Sequence, residues 1–173
     1  VSLMRRHQGE QLEKLLVGFL DHASSPVAAK AWERLNEVQP DSISATVLET
    51  TLQRRDARLR LLAVQNCGRR STLHVEWLMD ALDDHHPDVR CQARHTLLAW
   101  HVKTKAADGQ SDRQQQIRDE LTKVFDSDSS WRGLEQACLL SAELDHKPVA
   151  ATIVTLLPSH RIELSSAAAF SLK

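Results

Sequence analysis

An apolar pattern recurs in this chain after thirty residues, over two successive segments, and a stack of helical pairs is the arrangement that satisfies it. Ile43, Val47, Leu48 and Leu52 are matched by Leu73, Trp77, Leu78 and Leu82. The next segment keeps the same offset, Leu59, Ala63 and Cys67 answering to Val89, Ala93 and Leu97. Spacings of three and four residues place each set on one face of a helix. One amphipathic stretch is a weak signal, but two in succession at a single offset require the same coincidence twice.

The pattern extends in both directions. Leu12, Leu15, Leu16, Phe19 and Leu20 form one helical face and Val27, Ala31 and Leu35 the next, joined by a short loop at Ser24 and Ser25. Ile117, Leu121 and Phe125 restart it later, and Val149, Ile153 and Leu157 precede Leu164, Ala168 and Leu172. The central alanines of the second helices, Ala31, Ala63, Ala93, Ala137 and Ala168, lie 32, 30, 44 and 31 residues apart. The long interval holds the polar run 103–112 with Gly109, which reads as an enlarged loop. Pro26, Pro87 and Pro148 open periodic stretches, while Pro40 and Pro158 separate them. With no tyrosine and 4% aromatic residues, composition favours helix over sheet. The expectation is an all-α chain, one domain over 1–173, with hairpins near 10–36, 41–68, 72–102, 112–144 and 148–173.

Charge and motif content narrow the function. Twenty-two basic residues against 23 acidic ones give no global field for a polyanion or an acidic membrane. No apolar run is long enough to span a membrane. Cys67, Cys91 and Cys138 are odd in number and widely spaced, which fits neither a disulfide framework nor a zinc motif, and a reducing, cytoplasmic setting is expected. There is no phosphate-cradling glycine loop, no GxSxG and no HExxH. His74-Val75-Glu76 matches half of a zinc deaminase signature, but no PCxxC follows it. The chain opens on Val1 without a methionine and stops within a helical pattern, which reads as a piece of a longer protein with further domains as neighbours.

The segment DDHHPDVRCQARHTLLAW, Asp83 to Trp100, resembles a HEAT repeat of the bacterial, phycobilisome-lyase-like type: an acidic residue, Pro, Val-Arg, Ala, then Leu. RRDARLRLLAVQNCG, Arg54 to Gly68, is similar, with Leu59-Arg60 for Val-Arg. Elsewhere the likeness is one of period more than motif, since Ala28, Leu134 and Ser165 stand where the arginine is expected. The resemblance implies a right-handed α-solenoid of about five hairpins whose second helices face a concave groove. It also implies a scaffold or adaptor, with bilin lyases and a DNA glycosylase among related proteins.

The leading expectation is therefore a non-catalytic scaffold that binds a polar peptide or protein and needs no metal or cofactor. Lys30, Arg34, Arg58, Gln65, Gln92, Arg94 and His95 are its candidate contacts, with Glu33 beside them, because most flank the anchoring alanines and turn away from the seam. Arg54, Arg55, Arg58, Arg60, Arg69 and Arg70 crowd the second hairpin and offer an alternative seat for an anion or nucleic acid. The competing reading gives them to ion pairs with Glu76, Asp80, Asp83, Asp84 and Asp88, places Arg60 and Arg90 in equivalent structural roles, and has Gly68 cap a helix whose dipole Arg69 and Arg70 answer. Cys91 and His95, one helical turn apart near His85 and His86, have a spacing that suits a soft metal, although a solvated face explains them as well. Trp32, Trp77, Trp100 and Trp131 are read mainly as core, with a stacking surface for a base or a peptide as the alternative. A lyase or glycosylase is the third reading.

Overall fold

The structure, a computed structural model, describes residues 11–12, 14–20, 22–38, 40–72, 74–105 and 111–173. Among the described residues every regular element is helical. The chain divides into two compact units, Val1–Thr72 and Leu73–Lys173.

In the first unit a helical stretch at 14–19 precedes α1 (Ser25–Val38), a 3-10 turn (Pro40–Ser42), α2 (Ala45–Leu52) and α3 (Ala57–Arg69). Ser44 and Asp56 cap α2 and α3, their side chains accepting from the Val47 and Arg58 amides. Helix α3 packs on both α1 and α2. Where α1 meets the core it presents Ala28, Ala29 and Ala31 beside a fully buried Trp32, and small side chains permit close helix approach. This rotates the face from that expected: Val27 points to solvent, as do Leu12, Leu15 and Phe19, while Ala28 and Ala29 are buried. Ile43, Leu48, Leu59, Ala63 and Cys67 are buried as their spacing predicts. A buried amide pair adds a polar tie, for Asn66 donates to Asn36 Oδ1 at 2.8 Å and Asn36 to Leu62 O at 2.9 Å.

The second unit contains α4 (Val75–Ala81), α5 (Pro87–Lys105), α6 (Ser111–Asp126), α7 (Trp131–Glu143), a 3-10 turn (Lys147–Val149), α8 (Ala150–Leu156) and α9 (Ile162–Ser171). Sequential pairs α4/α5, α6/α7 and α8/α9 pack together, α5 packs on α7, and α7 packs on α9. Val89, Ala93, Leu97, Ile117, Leu121, Ala137, Ile153 and Ala168 are buried, as their spacing predicts, whereas Leu157 and Leu172 stay exposed. The enlarged loop is shorter than 103–112, because α5 runs on to Lys105 and α6 begins at Ser111. Gly109 lies outside the described residues.

The thirty-residue offset survives at the level of single bonds. Arg60 Nη1 donates to the carbonyls of Arg54 and Arg55 at 2.7 and 2.9 Å, and Arg90 Nη1 to those of Asp84 and His85 at 2.8 and 3.3 Å. Each arginine reaches back six and five residues and fastens the loop that leads into its own helix. Burial of an arginine is tolerable only when such acceptors meet its donors.

Candidate interaction surfaces

On the first unit the expected contact residues form a mixed-charge network. Lys30 Nζ lies 2.7 Å from Glu33 Oε2, and Arg58, projecting from α3, donates to Glu33 Oε1 at 2.6 Å. These two partners, Lys30 first, hold the Glu33 carboxyl below its ordinary value. Arg34 pairs with Glu37 at 3.1 Å along α1. Lys30, Arg34 and Arg58 are all exposed, while Gln65 is half-buried on α3.

Arg69 and Arg70 of the arginine-rich segment bond back onto the unit, whereas Arg55 is exposed. Arg69 donates to Asn36 O at 2.9 Å, and Arg70 donates to Ile43 O and lies within 4.0 Å of Asp41. Gly68 is not the cap of α3, which runs through Arg69 and ends on Arg70 with ordinary negative φ. Arg69 therefore meets a carbonyl near the end of α1 and leaves the terminus of its own helix to others. Asp56 is held below its ordinary value, first by the Ser25 hydroxyl that it accepts from α1.

On the second unit Arg94 differs from its expected role. It is a tie between helices, not an open contact, because it pairs with Glu143 at the end of α7 and donates to Gln136 at 3.2 Å, leaving its side chain 14% exposed. Gln92 donates to Thr96 within α5. His95 is exposed, with Cys91 Sγ 3.8 Å from its Nδ1, and no third metal-binding side chain joins them among the described residues. His86 and Asp84 serve the turn into α5: the His86 amide donates to Asp84 Oδ1 at 2.7 Å and the Asp88 amide to His86 Nδ1 at 3.3 Å.

Asp83, read from sequence as one acid among five, has a specific structural task. Its carboxylate accepts from the Ser130 amide at 2.9 Å, the Ser130 hydroxyl and the Gly133 amide at 3.1 Å, and so fills the N-terminus of α7 from 47 residues away. It borders a 560 Å³ groove that also carries Glu76, Asp80, Glu120 and Lys123. Desolvation, and then the charges of Glu76 and Glu120, raise the Asp80 carboxyl.

Two thiols are inert by burial. Desolvation pushes Cys67 up to about 11 and Cys138 to about 12, far from the thiolate a nucleophile requires. His146 is buried between α6 and α7, with Nε2 2.9 Å from Thr122 Oγ1. The Thr122 hydroxyl also lies 3.0 Å from Arg118 O, so it sits between a helix carbonyl and the imidazole.

The tryptophans separate into distinct environments. Trp32 and Trp100 are buried, and Trp77 is half-buried and stacked on His74 at 4.1 Å. Trp131, also half-buried, has the Arg132 and Arg161 guanidinium carbons 5.0 and 5.3 Å from its ring centroid. Trp131 therefore combines partial exposure with two cations, which spacing alone did not reveal because Arg161 comes from another helix. A scan against protein-family models gives no match, and no curated protein matches the chain at a significant level.

Proposed function

We propose that the chain is a non-catalytic binding scaffold of the HEAT kind, a right-handed α-solenoid of about five hairpins whose second helices receive a polar peptide or protein. The observation that carries this reading is the exposed Lys30–Glu33–Arg58 network. It spans α1 and α3, and both of its cations share one acid. A surface of mixed charge suits another protein surface, where both signs are met and the patch fixes orientation and encounter more than raw affinity. A polyanion is served better by cations without acids beside them. The inward bonds of Arg69 and Arg70 weigh against the nucleic-acid alternative at the second hairpin. The raised Cys67 and Cys138 thiols weigh against a lyase that uses either as a nucleophile.

Capture of partners from a native lysate after nuclease treatment tests the proposal, with the unaltered chain beside a Lys30→Glu, Arg58→Glu variant of equal helicity. Specific proteins should remain on the unaltered chain and be lost from the variant. Equal retention by both would remove this surface, and recovery of nucleic acid alone would remove the protein-binding class.

A further inference from the structure

We propose that the Trp131, Arg132 and Arg161 cluster is a docking site for a single phosphorylated side chain of a protein partner. Two guanidiniums lie over one indole, 5.0 and 5.3 Å from its centroid. Neither has a carboxylate partner among the described residues, whereas Arg34, Arg58 and Arg94 each hold one. Glu163, in the first turn of α9, is exposed and pairs with neither. Two like charges beside one aromatic ring repel each other, and a bound anion offsets that repulsion.

A second observation places donors beside those charges. Helix α9 opens at Arg161, whose side chain makes no cap bond, and among the described residues no side chain accepts from the first-turn amides of this ten-residue helix. Neighbouring α7 shows the contrast: its N-terminus is filled by the Asp83 carboxylate and the Ser130 hydroxyl. The fold thus supplies one of two adjacent helix starts with an internal anion and gives the other two arginines. Helix N-termini with arginine forks match a phosphoryl group, which offers about two negative charges and three strong acceptors.

The surroundings favour a phosphorylated peptide over a nucleic acid. The indole is already engaged by cations, which opposes base stacking, and Asp128 and Glu163 flank the cluster in sequence where a nucleic acid would need a continuing basic track. Ile162, next to Arg161 and 78% exposed, offers an apolar contact to residues beside the phosphate. That the source is a protein rests on the scaffold reading; the anion chemistry does not.

The test is a ¹H–¹⁵N titration of the full chain at constant ionic strength. The probes are inorganic phosphate, a short acetylated peptide with one phosphoserine, its unphosphorylated counterpart, and oligothymidylate. The phosphopeptide should shift the Trp131 indole signal and the amides of Ile162 to Leu164. It should bind about tenfold or more tightly than the unphosphorylated peptide, and Arg132→Gln with Arg161→Gln should abolish that margin. The lysine pair at the same positions should restore part of it. No shift, equal affinity for both peptides, inorganic phosphate matching the phosphopeptide, or preference for oligothymidylate would each overturn the proposal. Partner loss at the Lys30 and Arg58 surface is scored separately, so the two readings fail independently.

Discussion

A Cβ built on Gly133 falls 2.9 Å from both Cβ and Cγ of Asp83, well inside van der Waals contact, and Asp83 cannot withdraw without releasing the α7 N-terminus. Gly133→Ala should therefore destabilise the chain by about 1–3 kcal/mol despite alanine's better helix propensity, measured by urea denaturation. An unchanged or raised midpoint would show that Asp83 moves freely. Nothing near Asp83 in sequence signals this contact, because its partners lie 47 and 50 residues on; only the unusual glycine early in a helical pattern hints at a close approach. His146 gives a pH signature of the same locality. Burial first, then the Arg118 charge, lowers its imidazole below the ordinary value, so the unfolded chain binds that proton more readily. Its contribution is complete above the ordinary histidine value of about 6.5 and is lost as pH falls from there through the lowered folded value. Stability measured from pH 7.5 to 5 should fall more steeply for the natural chain than for His146→Gln, and parallel slopes would assign the effect elsewhere.

Among the elements, the end of α7 and the α1–α3 contact show what spacing conveys and what it omits. Helix α7 closes with the His146 amide on Ser141 O at 2.9 Å and the Asp145 amide on Ala142 O at 3.2 Å, the bond pair that needs a left-handed residue at the turn. Asp145 supplies it with φ of 49°. Asp145→Gly should raise stability by up to ~1 kcal/mol, seen as a higher thermal midpoint, since glycine takes that conformation without a Cβ clash. At the other contact, Asn66→Ala should cost about 1–3 kcal/mol in urea denaturation by leaving Asn36 Oδ1 and Pro40 O without their buried donor. Helix existence was legible because the anchoring residues Ala63, Ala93, Ala137 and Ala168 keep one face, and each is buried. Rotation of α1 was not legible, because a periodic pattern ranks large apolar residues above alanines, whereas the fold buries Ala28 and Ala29. The candidate site was legible only in part. Lys30, Arg34, Arg58 and His95 are exposed as expected, but Arg94 is taken by Glu143, an acid on a helix that sequence distance places far away.

On the scale of the whole chain, the second unit draws its principal packing from its own helices. The principal packings of α4 to α9 are with one another: α4 with α5 and α6, α5 with α6 and α7, α7 with α6 and α9, and α8 with α9. Its ties, Arg94 to Glu143, Asp83 to Ser130 and Gly133, and Thr122 to His146, begin and end within Leu73–Lys173. In stacked hairpins each pair gains stability from itself and its immediate neighbours, so removing distant pairs leaves the remainder its own terms. A fragment of residues 73–173 should therefore be helical by circular dichroism and unfold in urea in one cooperative transition. Gly133→Ala should lower its stability by the same amount as in the full chain, within about 0.5 kcal/mol, because the clash with Asp83 is local and independent sites add. A fragment that is unstructured, or in which Gly133→Ala has no effect, would show that α4 to α9 depend on residues before Leu73. A cooperative fragment with the same response would place the Trp131, Arg132 and Arg161 cluster on a self-sufficient fold.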